Sequence, residues 1–247
     1  MKGVIKRELD AELVDITHTL PRQDIRSAAF WLREILPWFP PATHLVVIDP
    51  GVGTDRAGLV IVAGDHALVG PDNGVLAPVT DRLSETTAPV IYRIDETAFS
   101  DRSQTFHGRD VFAPVAAAVA RRGQNAIDTI DYLTPMTSWT HLTFPEPSID
   151  EDTAVGSVLA IDDFGNVITN IPGSFLANRV GDHISVNGDS IPTAMTYAAQ
   201  SPGTPLVTIG SHGNVELAVN QGRGDVQFDL TLDDVVRLAD LDTSHQS

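Results

Sequence analysis

The stretch HLVVIDPGVGTDR, His44 to Arg56, decides the architecture. Four apolar residues, Leu45 to Ile48, run into Asp49, and a proline, two glycines, a threonine, Asp55 and Arg56 follow. A short continuous apolar run closed by turn residues reads as a strand buried on both faces. Such a strand needs helices above and below it, and the neighbouring sequence supplies them.

Upstream, DIRSAAFWLREILPWF places Ile25, Ala28, Ala29, Leu32, Ile35 and Leu36 on one helical face, with Asp24 as N-cap and Pro37 as the stop. Before that, LVDITHTL (Leu13 to Leu20) alternates like a strand. Downstream, GLVIVAGDHALVGPDNG reads as two strands joined at Gly64–Asp65, and PVIYRI as another. GRDVFAPVAAAVARRG is an alanine-rich helix, with Asp110 near its positive end, Arg121 and Arg122 near its negative end and Gly123 as C-cap. Strands alternating with helices predict an α/β domain over residues 1–140 with a mostly parallel sheet. Near residue 140 the texture changes. THLTFPEPSIDED is a proline-rich acidic linker, and beyond it short β-prone segments and glycine turns predict an antiparallel β-barrel or sandwich over 150–241. The tail DTSHQS is expected to fray.

Composition narrows the function. Among 247 residues there are 33 acidic and 16 basic side chains and no cysteine, for a net charge of −17. The charge argues against a nucleic-acid partner, because phosphates would be repelled. The lack of cysteine excludes disulfides and thiolate chemistry and makes a reducing cytoplasm the expected compartment. No apolar run approaches the roughly 20 residues that span a bilayer, so no membrane association is expected, and the N-terminus runs straight into charged residues rather than a secretory signal. Lys2 and Lys6 are the only lysines. An acidic, lysine-poor surface is that of a halophilic protein, in which high ionic strength screens self-repulsion.

Three clusters carry side chains with chemistry. Asp49 sits at a strand end, where ligands bind in open α/β sheets, followed by a turn that lets backbone approach a ligand; alone, it reads equally as a structural aspartate. The run lacks the lysine and glycine spacing of a P-loop. TFHGRD (Thr105 to Asp110) brings an imidazole, a guanidinium and a carboxylate to a helix entry, where the plain alternative is a cap and a local ion pair. IDDFGNVITN (Ile161 to Asn170) is a strand–turn–strand with acids and amides at its tip, the alternative being a hairpin in which Asn166 serves the turn. The histidines are scattered without the close spacing of a zinc motif, so no metal site is expected.

Taken in this order, with MKGVIKRELDAELVDITHTLPRQDI, DPGVGTDR, GPDNGVL, TFHGRDVFAPVAAAVARRG, IDDFGNVITNI and GSHGNVELAVNQG, the motifs resemble those of the S-adenosylmethionine (SAM) hydroxide adenosyltransferases, or SAM hydrolases, a sister group of the SAM-dependent fluorinases and chlorinases. The resemblance spans nearly the whole chain. It implies an N-terminal α/β (Rossmann-like) domain followed by a C-terminal antiparallel β-barrel, and a catalytic set falling on Asp49, Arg56 and His107. It also implies contacts of Asp162 and Asn166 with the methionine end of SAM, of Phe106 with the nucleoside, and of Asn73 in the adenosine pocket. The halogenases carry a tyrosine in place of Asp49 and lack the imidazole of His107, so the water-using branch is expected. SAM is then the substrate and no cofactor is needed. A homotrimer with its pockets between subunits is implied as well. Family members usually begin with a strand ending in a TDFG-like motif whose aspartate holds the ribose; this sequence starts at MKGVI, so that aspartate and one strand are expected to be missing. The alternatives are a halogenase and a nucleoside-binding protein without turnover.

The chemistry fits the residues. Displacement at the ribose C5′ expels a neutral thioether from a sulfonium, so no general acid is required. The demand falls on the nucleophile, which must lose a proton and align opposite the C–S bond. A carboxylate, a guanidinium and an imidazole suit that task.

Overall fold

The computed structural model describes residues 1–241 and divides into two units, Met1–Thr143 and Phe144–Ser247. The expectation for DTSHQS lies outside the described residues.

The first unit contains α1 (Lys2–Glu8), α2 (Ile25–Ile35), β1 (Thr43–Leu45), β2 (Gly58–Ala63), β3 (His66–Pro71), α3 (Ala77–Leu83), β4 (Val90–Ile94), α4 (Ala113–Arg122) and β5 (Leu133–Met136). Its sheet runs β1-β3-β2-β4-β5. Only β1 and β3 are parallel; the other pairings are antiparallel. The mostly parallel sheet expected from the sequence is therefore replaced by a mixed one. The reason lies at Gly64–Asp65, where two residues connect β2 to β3 with Gly64 at φ +54°. So short a link closes a hairpin, whereas a parallel crossover needs a dozen residues or more.

Alternation within each strand feeds two cores. Val60, Ala67, Val69, Tyr92 and Ile94 pack with Phe112, Val115 and Val119 of the α4 region. Leu59, Ile61, Leu68 and Ile91 pack on the other face with Ala28, Leu32 and Leu36 from α2 and its extension and with Val79 of α3. Burial on both faces is why β2 and β3 are apolar at nearly every position. Asp24 caps α2 by accepting from the Ser27 backbone N–H at 2.9 Å. LVDITHTL forms no strand; Asp15 instead takes hydrogen bonds from Lys2 and His18.

The second unit contains β6 (Ser148–Ile149), β7 (Thr153–Ile161), β8 (Val167–Pro172), β9 (His183–Val186), β10 (Asp189–Pro192), β11 (Pro205–Ile209), β12 (Asn214–Val219), α5 (Gly224–Gln227) and β13 (Val235–Asp240). Its antiparallel sheet runs β10-β9-β13-β7-β8-β12-β11, with β6 on β7. A bridge between Thr193 and Val207 brings the two end strands together, so the barrel nearly closes. Its interior is filled by Val158, Val167, Ile171, Phe175, Leu176, Ile184, Leu217 and Leu238. Asn187 and Gly188, both at positive φ, make the β9–β10 turn.

Two histidines that look unrelated in sequence meet inside the first unit. His44 on β1 and His66 at the start of β3 stack at 24°, with Nε2 of the first 2.9 Å from Nδ1 of the second. One nitrogen must donate and the other accept, so protonating both rings destroys the bond. Burial, reinforced by the charge of His66, pushes His44 down to about 4 from 6.5; burial also lowers His66. A depressed histidine contributes stability above its unfolded value, and the contribution is lost as pH falls from about 6.5 through about 4, because the unfolded chain binds the proton first. Urea melts across that window should show wild type losing about 3 kcal/mol relative to His44→Gln. A constant difference between the two proteins would show that the pair does not titrate this way.

Candidate active site

Past β1 the chain stays extended, with Val46 N–H bonded to Val69 C=O at 2.9 Å, and delivers Asp49 to the end of the sheet. Asn73 ties this segment down by donating from Nδ2 to Ile48 C=O at 2.8 Å. The loop that follows is held by Thr54, whose hydroxyl donates to Gly51 C=O at 2.7 Å. Gly53, at φ +79°, lies so close to Gln104 that a Cβ would sit 2.7 Å from its carbonyl oxygen. Only glycine permits both the conformation and the approach. This contact joins the DPGVGTDR loop to the stretch leading into TFHGRD.

Arg56 is the hub. Its Nε and Nη2 donate to the two oxygens of Asp49 at 2.9 and 2.7 Å, a bidentate pair. Its Nη1 donates to Glu96 Oε1 at 2.6 Å, and its Nη2 lies 2.9 Å from His107 Nδ1. The guanidinium rests 5.1 Å from the Phe112 ring centroid. Side-chain exposures of 8% for Arg56 and 5% for Asp49 put the pair out of reach of solvent screening. Burial works against the Arg56 charge, but the hydrogen bonds and charges of Asp49 and Glu96 outweigh it and raise the group above its ordinary value.

Glu96 is the member that sequence reading missed. It follows β4 in a 3-10 turn, Glu96–Ala98, capped by Asp95, which accepts from Thr97 N–H at 2.9 Å. Glu96 Oε2 lies 2.9 Å from His107 Nδ1. The signal was available: Glu96, like Asp49, is a carboxylate just beyond the end of a strand. Gly58 makes room, since a Cβ there would approach Phe112 to 2.8 Å and Glu96 Oε1 to 3.3 Å.

His107 enters the helical stretch that the sequence analysis assigned to one α-helix. Residues Gly108–Phe112 form a π-helical turn before α4 begins at Ala113. His107 is buried, and its Nε2 has no hydrogen-bond partner among the described residues. Next to it Phe106 is 44% exposed, with the Arg109 guanidinium 4.8 Å from its ring centroid. Arg109 itself pairs with Asp110, the local ion pair considered above.

Asp49, Arg56 and His107 are thus brought together, with Asn73 bracing the strand end beside them. Asp162 and Asn166 belong to the second unit, at the β7–β8 turn. Asp162 accepts there from the Asn166 backbone N–H at 2.8 Å and from its Nδ2 at 3.0 Å, so in this structure both serve the turn. A further cluster of the barrel, around the buried Glu216, escaped the sequence reading: Glu216 accepts from Tyr197 at 2.6 Å and meets His212 at 3.4 Å. Burial and then the bond to Glu216 push the Tyr197 hydroxyl upward. Among the described residues no group of three or more histidine, cysteine, aspartate or glutamate side chains has the arrangement to hold a metal ion.

Residues 1–129 match the model of the SAM hydroxide adenosyltransferase N-terminal domain, and residues 156–237 that of the C-terminal domain. A protein of Salinispora tropica named (R)-S-adenosyl-L-methionine hydrolase is 37% identical over 92% of this chain and 85% of its own. One of the same name from Thermus thermophilus is 37% identical over 85% of this chain and 81% of its own. The crystal structure of an uncharacterized conserved protein from Thermotoga maritima superposes with a TM-score of 0.85 at 31% identity, covering 96% of this chain and 93% of that one. The chain belongs to the SAM hydroxide adenosyltransferase family.

Proposed function

We propose that this chain hydrolyses SAM at the ribose C5′, giving adenosine and L-methionine. The observation that carries the reading is the buried Asp49–Arg56–His107 constellation with the imidazole Nε2 left without a partner, in a chain whose relatives are named (R)-S-adenosyl-L-methionine hydrolases. The oxygen of water attacks C5′ as the C–S bond breaks. The electron pair of that bond goes to sulfur, turning the sulfonium into a thioether, and the proton of the water passes to His107 Nε2. Both oxygens of Asp49 already receive the guanidinium, so the carboxylate holds Arg56 and offers its outer lone pairs to orient the water. SAM is consumed as substrate, and no cofactor takes part. Phe106 lies against the nucleoside, Asn73 serves the adenosine pocket, and Asp162 and Asn166 hold the methionine end. Two carboxylates around one guanidinium disfavour a halide at the same place, which speaks against a halogenase.

Incubated with SAM in ¹⁸O-labelled water, the purified protein should release methionine and adenosine labelled at the 5′ oxygen. Unlabelled adenosine would sink hydroxide transfer, chlorinated nucleoside would support the halogenase, and binding without product would support a non-catalytic nucleoside binder.

Site variants separate chemistry from folding. His107→Ala should bind SAM yet turn over roughly 10²–10⁴-fold more slowly, the scale of a lost general base, and Asp49→Asn, which disturbs the group that orients the water, should also bind SAM and lose turnover. Their double mutant should lose far less than the product of the two, because the groups act as a unit. Asn166→Ala should raise KM with little change in kcat. Normal turnover per molecule in Asp49→Asn, with only a lowered melting temperature, would reduce Asp49 to a structural role.

The reading extends to a cytoplasmic, halophilic homotrimer with pockets between subunits. The net charge of −17 with only two lysines supports the salt preference, since at 1 M the Debye length falls to about 3 Å. A KCl series read by thermal melting and light scattering should show a midpoint rising with salt and the mass of three chains. A salt-independent midpoint would remove the halophilic assignment, and an active monomer the trimer.

A further inference from the structure

We propose that Glu96 is a specificity-determining residue: held on Arg56, it gives the buried cluster a net negative charge that admits neutral water and keeps small anions out. The inference rests on the hydrolase reading for what water does there, but the exclusion of anions is a property of the free protein.

A buried guanidinium attracts anions, being permanently charged and rich in donors. Asp49 meets most of that demand. Its two oxygens take Nε and Nη2 of Arg56 at 2.9 and 2.7 Å, and this pair alone is neutral. Bidentate pairing also fixes the plane of the guanidinium, so Asp49 by itself suffices to hold it. With Asp49 alone, however, Nη1 would still offer a small anion a charge-assisted hydrogen bond. Glu96 closes that position, accepting from Nη1 at 2.6 Å through Oε1. A second carboxylate at the far nitrogen adds little geometry and a full charge.

The sum decides what enters. Two carboxylates face a single guanidinium. A neutral His107 adds nothing, and taking a proton from water requires it to be neutral at rest. The cluster therefore carries one surplus negative charge. Side-chain exposures of 8% for Arg56, 5% for Asp49, 5% for His107 and 18% for Glu96 place that charge where dissolved ions screen it weakly. A halide, or hydroxide formed in the solvent, is repelled as it approaches; water, which has no charge, is not. The place in front of His107 Nε2, which has no partner among the described residues, is thus reserved for a neutral molecule. Water comes in whole and gives up its proton inside the site. The imidazolium formed when His107 takes that proton cancels the surplus, so the charge that turns anions away also favours the transfer.

The test uses bromide, a small anion that scatters anomalously. Crystals of wild type and of Glu96→Gln, whose amide oxygen can still accept from Arg56 Nη1, are soaked in sodium bromide. The variant should show a bromide peak beside Arg56 and wild type none. In SAM hydrolysis at constant ionic strength, with bromide replacing the bulky anion gluconate, the inhibition constant for bromide should be roughly 10–10³-fold lower in Glu96→Gln than in wild type, the effect of one unit charge a few ångströms away. Glu96→Asp, which keeps the charge, should exclude bromide as wild type does. Were Glu96 only a brace for Arg56, Glu96→Gln would change the rate and leave the response to bromide where it was. That result, or a bromide peak beside Arg56 in wild type, overturns the proposal. Should Glu96→Gln fold poorly, Glu96→Ala removes the same charge and takes its place. Failure of the hydrolase reading is visible separately, as wild-type protein that makes no adenosine while the diffraction result stands.

Discussion

A single guanidinium holds the first unit's functional end together. Arg56 is buried with two carboxylates, an imidazole and an aromatic ring around it, drawn from three different parts of the chain: Asp49 from the loop after β1, Glu96 from the turn after β4, His107 and Phe112 from the stretch before α4. Burying one of these charges alone would cost several kcal/mol. Together, paired through the guanidinium, they are tolerated, and the requirement that every one be present fixes where three loops end. The sheet order β1-β3-β2-β4-β5 makes this possible by setting the ends of β1 and β4 near the start of β2.

The same constraint explains the surrounding glycines and the aromatic floor. A loop that brings a charged side chain inward needs its backbone close to the neighbouring segments, which Gly53 and Gly58 allow. Phe112 supplies both a packing surface for the sheet and a face for the guanidinium, so one residue serves the core and the site. Fold and chemistry are linked through Arg56 rather than arranged side by side.

Much of this was legible beforehand, and what was not has identifiable physical causes. Asp24 as a cap, the Gly64–Asp65 hairpin and the Gly123 stop were readable because each depends on a few adjacent residues. The direction of the sheet was misread because alternation of strands and helices suggests crossovers, while a two-residue connection forbids one. LVDITHTL alternates like a strand, but an exposed segment with no neighbour to pair with cannot become one. Asp49, Arg56 and His107 were marked by local motifs; that they meet follows from the sheet order. Glu96 carried no motif of its own, and neither did the His44–His66 stack, since both are created by pairings between strands far apart in sequence.

The π-helical turn at Gly108–Phe112 has a consequence of phase. A π turn holds one residue more than the α turn it replaces, and each residue of an α-helix advances the direction of its side chain by about 100°. Everything on the N-terminal side of the turn is therefore rotated relative to α4 by that amount. The buried face of α4, with Val115 and Val119 in the core, dictates one orientation; the direction in which His107 must look dictates another. One surplus residue reconciles them. The winding of the chain between the helix and the histidine is thus itself a functional quantity: the same residues wound as a regular α-helix would keep every chemical group and point the imidazole elsewhere.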